Sequence, residues 1–275
     1  MKKNHKLPLS MVLSGGVLLI IILATLLATL SPYDPIAVET GQKFLPPSAQ
    51  HLLGTDNFGR DTFTRLLYGG RVSLLIGVAS TALSTVIAIV YGAISGIAGE
   101  KVDTLLMRFT EIILSIPNLL LIIFLQAIMG KATIGSISIV IGLTSWFGIA
   151  KIIRTEVRQL RSSEYVIAAK CMGGSFWHIL WKHLAPNFVS SIMFMVVMNV
   201  RSAIVAESTL SFLGIGLPLD VISWGSMLSL AEKALMSRAW WIVLIPGIFL
   251  VVVLMCITSL GHWLQVRVSH QEAKL

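Results

Sequence analysis

The fold class this sequence predicts is an all-α integral membrane protein with six transmembrane helices. Three observations carry that expectation. The 275 residues are 55% hydrophobic and only 12% charged, about half the charged fraction of a soluble domain. Uncharged apolar runs of about 20 residues recur along the chain, the length a helix needs to cross a bilayer. Lysine and arginine are spread unevenly over the segments that join these runs, as they are where basic residues collect on the cytoplasmic side. The net charge of +8 would point to nucleic acid in a soluble protein. Here it reads as topology, and no nucleic-acid partner is expected.

The elements follow in order. Residues 1–8 are basic, with Lys2, Lys3 and Lys6, and Leu9 to Leu30 then carries no charge. A signal peptide has an apolar region of about 7–15 residues; this run is longer and reads as a retained first span. Ser31 to Gly70 is polar and holds Pro32, Pro35, Pro46 and Pro47. Arg71 to Ala98 is the second span, rich in small residues that let membrane helices approach closely. Gly99 to Glu111 is a charged link. Ile112 to Met129 is the third span, kinked at Pro117, and Ile134 to Ala150 is the fourth. Lys151 to Asn187 is a long polar interruption, Phe188 to Leu210 the fifth span, and Ser211 to Ala239 a loop. Trp240 to Leu260 is the sixth span, its two leading tryptophans suited to a membrane interface. The chain divides into 1–70 (first helix and extracytoplasmic segment), 71–262 (transmembrane domain with the loop 151–187) and a tail, 263–275.

Six spans put both termini on one side. The segments on that side hold 13 lysines and arginines and those on the other hold seven, with Arg201 inside a span. The excess assigns both termini and the 151–187 loop to the cytoplasm.

No catalytic constellation is present. Gly130-Lys131 is followed by Ala132 and lacks the earlier glycine of a phosphate-binding loop, so the chain is not expected to bind ATP itself. There is no H-E-x-x-H and no G-x-S-x-G. His178 and His183 are five apart, a poor spacing for one helix face, and no metal site is expected. Cys171 and Cys256 are far apart and read as small hydrophobes. Arg201 lies inside the fifth span and Glu207 at its outer end. An ionisable residue within a span is a functional candidate; a buried structural pair or an interface position is the bland alternative, although six residues is too long for an ideal pair on one helix. Asn199, Arg201 and Ser202 are the candidates for lining a pathway. Met193, Met195 and Met198 suit either a pore wall or packing.

The stretch Arg161 to Asn187 has its own helical pattern. Tyr165, Ala168, Ala169, Met172, Phe176, Ile179, Leu180 and Leu184 recur at three- and four-residue steps, which assigns them to one face. Gly173-Gly174 interrupts the pattern. Ser162 or Ser163 can cap the first segment, with Glu164 in its first turn, and Ser175 the second. Pro186 ends that second helix or opens the next. A helix, a tight turn and a second helix would make a small rigid knob for a groove on another protein. An amphipathic helix lying on the lipid surface is the competing reading.

These residues carry a resemblance. The loop is similar to the "EAA" loop of binding-protein-dependent ABC importers, in the dipeptide/oligopeptide/nickel branch. Glu164-Tyr165-Val166, Ala168-Ala169, Gly173, His183 and Pro186-Asn187 match its pattern. Ile167 stands where the triplet has glutamate, so the surface is more apolar than the motif's name suggests. Two further stretches resemble the C-type permease of that branch. One is His51-Leu52-Leu53-Gly54-Thr55-Asp56 with Gly59-Arg60-Asp61 and Arg65-Leu66-Leu67-Tyr68-Gly69. The other is Glu207 with Ser211-Phe212-Leu213-Gly214-Ile215-Gly216 and Ser223-Trp224-Gly225. The chain departs from the branch at residues 216–224, which lack a proline-rich run, and at Gly261-His262-Trp263, where Gly-Asp is frequent.

The resemblance implies the type I ABC importer permease fold and a non-catalytic transmembrane subunit. It implies a homologous second permease, two cytoplasmic ATPases that hold the ATP and magnesium, and an extracytoplasmic binding protein, all at the cell membrane of a prokaryote. It assigns ATPase coupling to Glu164, Tyr165, Ala168, Ala169, Met172, Gly173, Gly174 and Phe176. A peptide is the first-choice substrate, with nickel or a metal–metallophore chelate as the alternative. A stand-alone secondary transporter would favour repeated halves and several intramembrane charges, and the sequence has neither. A membrane-bound enzyme and a helix-turn-helix DNA reader are set aside for want of a site and because spans flank the loop.

Overall fold

The computed structural model describes residues 9–218, 220–230 and 238–272. The basic residues Lys2, Lys3 and Lys6, together with Lys233 and Lys274, lie outside the described residues. The described chain is helical, apart from turns and one isolated bridge between Thr55 and Asp61. Its helices are α1 (Leu9–Leu26), α2 (Thr62–Ile97), α3 (Glu100–Leu114), α4 (Asn118–Met129), α5 (Ile134–Thr144) and α6 (Phe147–Leu160). They continue with α7 (Glu164–Cys171), α8 (Phe176–Ile179), α9 (Ala185–Phe212), α10 (Trp224–Leu228) and α11 (Trp241–Glu272).

Among the described residues three helices are long and apolar enough to cross a membrane: Thr62–Ile97, Phe188–Phe212 and Trp241–Val266. The count rises to five if the bent pairs α3–α4 and α5–α6 are each one span. The bend in the first pair falls at Pro117 as the sequence suggests, and it is sharp: the axes turn by 91°. A proline ring clashes with the carbonyl four residues back and offers no N–H, so the helix stops at Leu114 and restarts at Asn118. The expected charged link at 99–111 is itself helical and forms most of α3. Likewise the start of the polar interruption, 151–160, continues α6, so the fourth apolar run breaks at Ser145-Trp146 and bends by 44°.

α2 is the axis of the bundle, touching α1, α3, α5, α6, α9 and α10. It can do so because its buried faces are small. A Cβ on Gly92 would lie 2.6 Å from the Ala150 carbonyl oxygen, and one on Gly96 would lie 2.6 Å from Val157. The glycines therefore let α6 seat against the α2 backbone. Without water to drive association, such close contact is what holds membrane helices together.

The polar segment before α2 is folded. His51 bridges Asp61 through Nδ1 and Gln42 through Nε2, each at 2.9 Å. Asp61 also caps α2, accepting the Thr64 N–H at 2.7 Å. Asp56 pairs with Arg60 at 2.7 Å. Trp241 closes this unit: its indole N–H donates to the Thr55 carbonyl at 3.1 Å and the ring is buried. The tryptophan pair is thus divided, with Trp240 exposed and Trp241 inside.

Candidate functional site

The segment after α6 builds a knob. α7 ends in a Schellman turn. Gly173 takes φ +80°, and the Gly174 N–H donates to the Ala169 carbonyl at 3.0 Å, the six-to-one bond of that motif. Only glycine occupies the left-handed region without strain. Ser175 then caps α8, accepting the His178 N–H at 3.3 Å. Ser162 and Ser163 do something other than cap α7. Their hydroxyls donate back to the Gln159 and Leu160 carbonyls, closing α6.

The expected single face is split in two. Ala169, Ile179, Leu180 and Leu184 are buried, with Val166 beside them. Tyr165, Ala168 and Met172 are exposed, and Phe176 is half-buried. Within α7 the cause is that the inward arc centres on Val166 and Ala169, about 100° round the helix from Tyr165, Ala168 and Met172. The apolar spacing therefore spans both the buried arc and its exposed flank. Beyond Gly173 the αL turn also starts a new helix direction. Met172, 81% exposed at the tip, is joined on the outside by Ile167, Trp177 and Trp181. The inner side chains belong to the same core as Ile149, Ile153 and Val157 of α6, Ala88 and Ala93 of α2, and Phe188 and Ile192 of α9.

The knob's second arm has no separate end. α8 passes through a π-helical turn, Leu180–Leu184, into α9. Pro186 explains the wide turn, because it lacks an N–H and its ring displaces the carbonyl four residues back. Of the two roles expected for Pro186, it takes that of opening the next helix.

A polar clamp ties α6, the helix that leads into the knob, to α2 and α3, and the sequence reading does not contain it. Asp103 of α3 accepts two bonds from the Arg154 guanidinium at 2.5 Å, one from Arg158 at 2.6 Å and one from the Ser95 hydroxyl at 2.6 Å. Arg161 donates to the Gly96 and Ala98 carbonyls at 3.2 Å. The available signal was the spacing of Arg154, Arg158 and Arg161, four and then three residues apart on one face of α6. Counted only as topological charge, it went unread.

At the opposite end of α9, Glu207 is fully buried. It accepts hydroxyls from Ser73 of α2 at 3.1 Å and Ser211 at 2.9 Å. Among the described residues no cation pairs with it. Ser73 Oγ also accepts the Trp224 backbone N–H at 3.1 Å, and the Trp224 indole donates to the Leu66 carbonyl at 3.0 Å. Gly225 packs on the Ser208 backbone, where a Cβ would come within 2.5 Å. Glu207, Ser211, Trp224 and Gly225 are therefore one buried knot of α2, α9 and α10.

The three residues proposed to line a pathway do not share a wall. Asn199 and Ser202 border a cavity of about 430 Å³ between the two helix breaks. Arg201 points to a separate groove beside α11, where it donates to Thr258 at 3.3 Å. Among the described residues no group of three histidine, cysteine or carboxylate side chains is placed to hold a metal; the side chain of His183 lies outside the described set.

Residues 60–270 match the family model "Binding-protein-dependent transport system inner membrane component". The chain belongs to this family. The permease is 36% identical over 248 residues to the dipeptide transport system permease protein DppC of Bacillus subtilis, covering 90% of this chain and 77% of DppC. It is also 36% identical over 248 residues to the oligopeptide transport system permease protein OppC of the same organism, covering 89% and 79%. A putative peptide transport system permease protein of Brucella suis is 39% identical over 254 residues, covering 90% and 83%. The permease is thus a membrane component of a binding-protein-dependent transport system.

Proposed function

We propose that this permease forms half of the translocation pathway of an ATP-driven peptide importer. A homologous second permease supplies the other half, and an extracytoplasmic binding protein delivers the peptide. Two cytoplasmic ATPases bind ATP and magnesium and receive the knobs. The chain crosses the cell membrane of a prokaryote six times with both termini in the cytoplasm, as the charge asymmetry favours. The peptide assignment draws on relatives that are peptide permeases by name.

The observation that carries the coupling role is the build of the knob. It presents exposed Tyr165, Met172, Trp177 and Trp181, while its second arm runs on into α9 and its first joins α6 through a three-residue turn, 161–163. Exposed apolar side chains on a rigid turn suit a protein groove. A push on the knob passes along continuous helix into α9, and across the short turn into α6.

Reconstitution tests the reading. In proteoliposomes this permease alone should accumulate no peptide. The full complex with its binding protein should take up peptide only when ATP is supplied. ATP-independent uptake by the permease alone would overturn the assignment.

A further inference from the structure

The two helix breaks face one another. The α3–α4 break (Ser115 to Pro117) and the α5–α6 break (at Ser145) both border the cavity of about 430 Å³ that Asn199 and Ser202 of α9 close. Non-helical backbone at membrane depth persists only where it is buried in protein or lines a wet cavity. In transporters, interrupted helices repeatedly mark the place where substrate is held. Here two interruptions on separate helix pairs converge on one space, and each brings a polar side chain to its wall.

The chemistry of that wall is specific. Its polar members are Ser115, Asn118, Thr144, Ser145, Asn199 and Ser202, and no ionisable side chain lines it. The Asn199 amide N–H groups donate to the Ser145 carbonyl at 3.1 Å and toward the Ser84 hydroxyl at 3.4 Å. Its carbonyl oxygen carries no bond among the described residues, which leaves an acceptor for a ligand N–H. The Ser115, Thr144 and Ser145 hydroxyls donate to the Ile112, Val140 and Ile141 carbonyls, so their oxygens face the cavity as further acceptors for ligand N–H groups. A wall of this kind exchanges hydrogen bonds with peptide groups and neither selects nor rejects side-chain charge. Arg201, the charged residue of this stretch, belongs to a different groove.

Resting on the peptide-importer reading above, we infer that this cavity is a transit site holding the backbone amides of the passing peptide, with Asn199 as its central acceptor. Ser145 stands just before α6, and Asn199 and Ser202 lie on α9, the two bundle helices that flank the knob in the chain. Movement of the knob therefore displaces two walls of the site against the α3–α4 break.

The test uses the complete transporter in proteoliposomes, with acidic, neutral and basic tripeptides matched for length. Asn199→Asp keeps the side chain's size and adds a negative charge to a neutral wall. Like charges brought together in such a site are costly, so uptake of acidic tripeptides should fall about tenfold relative to basic ones. An unchanged charge preference in an Asn199→Asp transporter that still carries neutral peptide would overturn the site. A second arm does not depend on substrate identity. In a Cys171→Ser, Cys256→Ser background, Ser202→Cys should react with a membrane-impermeant thiol reagent added to the open complex. Failure to label would overturn a wet cavity. Absence of any peptide uptake by the unmodified complex, with Ser202→Cys still labelled, would overturn the peptide reading and leave the cavity standing.

Discussion

The two ends of α9 carry the chain's two most recognisable stretches, and they are built in opposite ways. At one end the knob exposes its motif: Tyr165, Ala168 and Met172 face outward, and a Cβ on Gly173 would meet nothing within 4 Å. At the other end the motif is turned inward. Glu207, Ser211, Trp224 and Gly225 are buried against α2 and one another. A recognisable stretch thus marks a constraint without saying which kind. On the proposed coupling role, exposure separates a surface that meets a partner from a knot that holds the fold, and the two kinds should respond differently to substitution. In the knot, stability and transport should be lost together. On the knob, transport should be lost while the fold persists.

The largest effect is expected at Gly225. A valine there would drive its Cβ to about the 2.5 Å approach of the Ser208 Cα, with backbone on the other side that has no room to yield. Overpacking of this kind costs on the order of 1–3 kcal/mol or more. Gly225→Val should lower the detergent melting temperature sharply and abolish uptake in the same variant. Glu207→Leu should follow, because it strands the Ser73 and Ser211 hydroxyls in an apolar site at about 1–3 kcal/mol each. Glu207→Gln still accepts hydrogen bonds and should be mild. Equal damage from both variants would show that the charge, and not hydrogen bonding, holds the knot.

The clamp between α3 and α6 comes next. Asp103→Ala leaves Arg154 and Arg158 facing one another without an anion. Removing one partner of a fully buried pair costs about 3–5 kcal/mol; with the Arg154 and Arg158 side chains 25% and 41% exposed, a smaller loss is expected. A charge exchange, Asp103→Arg with Arg154→Asp, should recover part of the melting temperature and part of the coupling between ATP hydrolysis and uptake. No recovery in the exchanged pair would mean that the clamp acts through its geometry with Ser95 and not through the ion pair.

Much of this was readable before any fold was known, and the failures have physical causes. The long helices α2, α9 and α11 are centred on long apolar runs, although α2 starts at Thr62, inside the segment expected to be a polar loop, and Pro117 announces its own break. The break at Ser145-Trp146 has no proline or glycine at its joint, so the apolar pattern runs through it unmarked. Glu207 reads as a lone charge because its partners, Ser73 and Trp224, come from distant parts of the chain. Trp241 reads as an interface residue because the Thr55 carbonyl that fixes it lies nearly two hundred residues earlier. On the knob, the glycine turn is legible, but the apolar spacing of α7 puts Ala169 and Tyr165 on one face, while packing turns inward only the narrower arc of Val166 and Ala169 and leaves Tyr165 outside.

That division of the face frames the smaller effects. Gly173→Val must adopt a left-handed backbone, at a cost of roughly 1–2 kcal/mol, with open space around the new side chain. The bundle should stay folded, while the arms of the knob meet at an altered angle and ATP hydrolysis runs without uptake. Gly173→Asn tolerates the same backbone better and should keep most of the coupling. Smallest in stability is Met172→Glu. Met172 is 81% exposed, and surface substitutions away from caps, cores and networks usually stay within about 0.5 kcal/mol. The melting temperature should therefore not move. If the knob's apolar tip enters a groove on the ATPase, a buried unpaired carboxylate there is strongly unfavourable, and the ATPase should no longer co-purify. Ala169→Glu places the same charge on the buried side of the same helix, so it should lower the melting temperature instead. A pair of variants three residues apart, one unfolding the permease and one only detaching its ATPase, would separate the two faces that sequence spacing had merged. Retention of the ATPase by Met172→Glu would move the contact to Trp177 and Trp181, on the other arm of the same turn.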